Sequence, residues 1–109
     1  MINLDEVIDF VIDETVFVIP VLSGKKAVEL QALMEKFSNN KEDGEIVQKT
    51  KDIIKVGLSE IKNIKISGEI KESISNTEEI IEKFPLKLLT KVMTKIIEVN
   101  FPTEEEKKN

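Results

Sequence analysis

Four short stretches of this 109-residue chain place polar side chains at spacings that could do chemistry. Ser23-Gly24-Lys25-Lys26 has the outline of a phosphate-binding loop, in which backbone N–H groups and a Lys cradle phosphates. That pattern needs Gly where Ile19 stands and Ser or Thr where Lys26 stands, so a turn ahead of a helix is the plainer reading. The segment 39–44 sets Gly44 at the sixth position of a calcium loop, but Lys41 falls on the third ligand position. Thr50 falls where the bidentate Glu belongs, so that pattern fails too. Glu78, Glu79 and Glu82 are acids at a helix start, which the helix dipole explains without catalysis. Lys87, Lys91 and Lys95 form a basic ridge that reads as a solvated helix face or a dock for an acidic helix.

The residue types that are missing narrow the chemistry further. The chain has no His, Cys, Arg, Trp or Tyr. Without His it lacks the usual neutral-pH general base and the commonest metal ligand. Without Arg it lacks the bidentate reader of guanine and phosphate, and only five Phe remain to stack on bases. These absences argue against an enzyme and against direct nucleic-acid binding, and no metal or cofactor site is expected.

Charge is uneven along the chain. The net charge is −5, and residues 1–14 hold five acids (Asp5, Glu6, Asp9, Asp13, Glu14) with no Lys. The other sixteen acids are matched by all sixteen Lys. The excess lies on one segment, which disfavours anionic partners and suits a basic one, although a solvated face is the plainer reading. No apolar run approaches the roughly 18 residues of a membrane span, and the acidic start is unlike a signal peptide. A cytoplasmic protein that does not contact membrane follows as the expectation.

The elements that would position these residues read mainly as helices. Asn3 and Glu6 resemble a capping box, and Leu4, Val7, Ile8, Phe10, Val11 and Ile12 share one side of a helical wheel. Asp5, Glu6, Asp9 and Asp13 fill the other side of that first helix, which should end near Glu14. Residues 15–19 are β-branched and aromatic, a short buried strand or extended segment closed by Pro20. A helix is expected from about 25 to 37, then a polar loop over 39–44, then a long helix over 45–62 capped by Asp43. Gly57 lies on the inner face of that helix, where the absence of a side chain suggests close approach of another backbone. Ile64, Ile66 and Ile70 around Ser67-Gly68 suggest a small hairpin or an irregular crossover.

The most strongly patterned stretch is 84–101, preceded by a short helix over 77–84. Leu86, Leu88, Leu89, Val92, Met93, Ile96, Ile97 and Val99 fill an arc of roughly 180°, wider than the roughly 100° that a surface helix needs. Pro85 sits in its first turn, while Asn100 and Pro102 end it. The fold class expected is mainly α, a compact bundle of four to five helices with a short strand or hairpin. It forms one helical domain over 1–102, followed by a disordered charged tail over 103–109. There is no internal sequence repeat.

Thr77-Glu-Glu-Ile-Ile-Glu-Lys-Phe-Pro, Leu86-Lys-Leu-Leu and Ile97-Glu-Val-Asn-Phe101 together resemble the end of small tail assembly chaperones of long-tailed phages and prophages. The resemblance covers about 25 residues and implies a mainly helical, non-enzymatic protein of the bacterial host's cytoplasm. Its implied partner is a long helical one such as a tape-measure protein, kept soluble until the tail tube forms; a homo-oligomer is left open. The carry-over points to Leu86, Leu89, Val92, Met93, Ile96 and Ile97 as partner contacts. The competing reading is a small acidic inhibitor of a host nucleic-acid enzyme, with Asp5, Glu6, Asp9 and Asp13 imitating phosphates.

Overall fold

The structure is a computed structural model that describes residues 5–39 and 43–101, the side chains of 37–39, 43 and 44 excepted. Its elements are β1 (Val7–Ile12), β2 (Thr15–Pro20), α1 (Gly24–Asn39), α2 (Asp43–Gly57), β3 (Glu60–Ile66), β4 (Glu69–Ile74), α3 (Thr77–Ile81) and α4 (Leu86–Asn100). The strands form one antiparallel sheet in the order β1-β2-β3-β4. This α+β architecture overturns the expected mainly helical bundle. Among the described residues, no helix is long and apolar enough to cross a membrane.

The largest correction is at the beginning. Residues 7–12 are a strand, not part of a first helix. Val7, Ile8, Val11 and Ile12 are β-branched, and such side chains lose little rotamer freedom in a strand. Burial alternates along β1, with Ile8, Phe10 and Ile12 half-buried and Val7, Asp9 and Val11 exposed. Asp13 and Glu14 link β1 to β2 with φ of 47° and 70°, and two positive φ values are what a type I′ hairpin turn needs. Asn3, the supposed helix cap, lies outside the described residues.

The second correction shortens the 45–62 helix. It stops at Gly57, and Glu60 already belongs to β3. Glu60 is drawn into the sheet by pairing with Val18, and Ile61 with Phe17. Ser67-Gly68, both at positive φ, then turn β3 into β4 as a regular hairpin. Tail residues 103–109 and residues 40–42 of the expected loop lie outside the described residues, as does the side chain of Asp43, while 39, 43 and 44 belong to α1 and α2.

One face of the sheet carries the core. Phe17, Ile19 and Ile61 meet Ile53 and Ile54 of α2, and Leu89, Val92 and Ile96 of α4, all buried. Phe84 packs edge-on against Phe17 with ring centroids 5.9 Å apart, a favoured aromatic geometry. Gly57 faces Ile96, so the close approach is made by a side chain and not by a backbone. Asn100 ends α4 and fastens it: Leu22 N donates to its Oδ1 at 2.8 Å, while its Nδ2 donates to Ile96 O. One polar side chain thereby serves a backbone N–H ahead of α1 and a carbonyl in the last turn of α4.

Candidate protein-binding groove

A concavity lies where the β1–β2 turn, the β3–β4 hairpin and the α3–α4 corner meet beside the sheet. β2 starts at Thr15, but β3 runs on past its last β2 pairing, Val16 with Lys62, to Ile66. The hairpin therefore overhangs the β1–β2 turn by roughly 10 Å, at about 3.3 Å per residue. Asn63 makes the junction, with φ at 57°. Thr15 Oγ1 donates to Asn63 O at 2.9 Å, and Asn63 Nδ2 donates to Glu14 O at 3.0 Å. An Asn accepts left-handed backbone at lower cost than most residues, and here its amide also ties two turns together.

That junction changes which side chains face the helices. Ile61 and Ile64 both pack on the core although three positions apart, a parity that uninterrupted pleating forbids. Ile64 and Ile66 thus join Ile12 and Phe17 in lining a groove of about 510 Å³. The corner between α3 and α4 supplies the opposite wall through Ile80, Phe84, Pro85 and Leu88. Asp13, Lys65 and Lys83 bring charge to it. Thr15 and Ser67 add polar groups, and a mostly apolar lining with such groups suits an apolar segment that carries some polar atoms.

The corner is held in place from outside. Lys51 Nζ donates to Glu82 Oε2 at 2.9 Å, and Lys55 Nζ lies 3.5 Å from Oε1. The Lys51 hydrogen bond, helped by the charges of both lysines, holds the Glu82 carboxyl below its ordinary pKa. Glu82 is thus a tie between α2 and the end of α3, and no longer one of three equivalent acids at a helix start.

The residues expected to bind a partner are divided by the fold. Leu89, Val92 and Ile96 are at most 2% exposed and form the core, so they offer no surface to another protein. Met93 and Ile97 are half-buried, and Leu86 is 62% exposed beside the groove's entrance residue Pro85. Part of the wide apolar arc of α4 packs on α2 and β2, while Leu86 stays exposed. The polar side is also used, since Lys95 Nζ sits 5.8 Å from the Phe10 ring centroid.

The acidic residues no longer make a helical ridge. Asp9 lies on β1, Asp5 and Glu6 precede it, and Asp13 is in the turn. Spacing of four residues means roughly 13 Å along a strand, against roughly 6 Å on a helix. Charges that far apart in water barely feel each other at physiological salt, and their separation is about twice that of neighbouring phosphates in nucleic acid. Among the described residues, no group of three or more acids is placed to hold a metal ion.

The groove was not visible as a site in the sequence. Its lining comes from three separate stretches, 12–17, 64–67 and 80–88, and the αL residue at position 63 aims Ile64 and Ile66 into it. Compared with known protein families, curated proteins and solved structures, the chain matches none.

Proposed function

We propose that this protein is a non-enzymatic binding protein that shelters an apolar segment of a partner chain, as the tail assembly chaperones resembled by its C-terminal third do. The observation that carries the reading is the 510 Å³ apolar groove beneath the overhanging hairpin. The stretch that bears the resemblance supplies one of its walls, through Ile80, Phe84, Pro85 and Leu88. A helical partner would lay two or three apolar side chains into the groove while its polar side remained in water. The implied partner is a long helical protein of the tape-measure kind, met in the cytoplasm of a bacterial host.

The test is co-expression with the longest protein encoded next to it, followed by affinity purification and a mass measurement. A soluble complex of fixed stoichiometry is expected. Ile66→Asp, which alters the groove at a half-buried residue outside the packed core, is expected to release the partner while leaving the melting temperature within a few degrees. A complex that survives Ile66→Asp rules out the groove as its seat. An insoluble partner with the free wild-type protein in solution rules out the chaperone reading.

A further inference from the structure

Among the described residues, β1 has a partner on one side only. Val21 N donates to Glu6 O at 2.9 Å, which fixes Glu6 and Val21 as a hydrogen-bonded pair of the β1–β2 ladder. By alternation, Ile8, Phe10 and Ile12 also direct their N–H and C=O groups at β2. The N–H and C=O groups of Val7, Asp9 and Val11 therefore point off the edge, and among the described residues none pairs with them. On the outer face Val7 is 50% exposed and Val11 57%, with Asp9 between them. The strand has no Pro, bulge or Lys to block pairing, whereas the other edge, β4, carries Lys71 in an ion pair with Glu69.

We propose that the β1 edge accepts an extended basic segment of another protein as a fifth strand. Charge selects the occupant. A second copy pairing antiparallel through β1 would bring acids against acids, in a stretch of fourteen residues with five acids and no Lys. A Lys or Arg opposite Asp9 instead forms an attractive cross-strand pair, and β-branched residues two positions either side cover Val7 and Val11. The backbone ladder supplies affinity and the Asp9 pair supplies choice. This surface is independent of the groove reading: either can fail alone.

The experiment titrates the full chain with the capped peptide Thr-Val-Thr-Lys-Thr-Val-Thr and with its Lys-to-Glu counterpart, following backbone amides by NMR. The Lys peptide is expected to move the amides of Val7, Asp9 and Val11 and to bind more weakly as salt rises. Asp9→Lys is expected to weaken the Lys peptide and favour the Glu peptide, each on the order of tenfold. Val11→Pro removes an N–H that points off the sheet, so it should abolish strand addition while the hairpin stays folded. Equal binding of both peptides, β1 amides unmoved at millimolar peptide, or a dimer formed through β1 would each overturn the proposal.

Discussion

At the scale of single residues, the contact between Gly57 and Ile96 decides how α2 and α4 approach. A Cβ at position 57 would run into Ile96 Cγ2, a branch atom of a fully buried side chain with no room to swing aside. Replacing a helical Gly by Ala ordinarily gains up to about 1 kcal/mol, but overpacking a core costs about 1–3 kcal/mol. Gly57→Ala is therefore expected to lower stability, measured as an earlier midpoint in urea denaturation. A later midpoint would mean that α2 and α4 lie further apart.

At the scale of elements, the β1–β2 hairpin separates the strand from the helix most sharply. Glu14 sits at φ 70°, where a residue with a Cβ is strained by about 1–2 kcal/mol. Glu14→Gly should raise stability by about 0.5–1 kcal/mol after the entropy cost of Gly is subtracted. In a helix the same change would lower it by up to about 1 kcal/mol, so thermal melting distinguishes the two. Relieving repulsion among Asp5, Asp9 and Asp13 should gain little, because the strand already spreads them apart. The tie between α2 and α3 has its own signature. The folded state holds Glu82 below its ordinary pKa, so the unfolded chain binds that proton more readily. Its contribution is present above the ordinary carboxyl range and is lost as pH falls through it. Glu82→Gln should flatten the acid limb of the stability curve there and leave the alkaline limb unchanged.

At the scale of the whole molecule, the element order ββαα occurs twice, with both hairpins turning through two residues at positive φ. In the first αα pair α2 packs beside α4 and α1 packs on α2, and the second pair forms the corner that walls the groove. This arrangement sets core and surface positions three residues apart on one helix. Leu89→Asp would bury an unpaired charge at a 2% exposed position and is expected to unfold the protein. Leu86→Asp, at 62% exposure three residues earlier, is expected to change stability by less than about 0.5 kcal/mol. Circular dichroism on the pair shows whether the arc of α4 is core; equal melting temperatures would return Leu89 to the surface.

The sequence by itself determined α4 closely, because eight apolar residues at a 3.6-residue period admit no competing geometry and Pro85 and Asn100 bound it. It also determined the absence of His, Cys and Arg chemistry, which needs no fold to be read. Only the tertiary structure decided residues 7–12 and 60–66. Val7, Ile8, Phe10, Val11 and Ile12 satisfy a helical stripe and a strand nearly equally, and the choice falls to pairing partners such as Phe17 and Ile61. The β2–β3 pairings join residues more than forty positions apart and are absent from any local window, while the β1–β2 hairpin turns on positive φ at Asp13 and Glu14, residue types that do not announce such a turn. The groove depends on them as well: Asn63 takes left-handed backbone because Thr15 and Glu14 hold it, and Ile64 and Ile66 turn inward as a consequence.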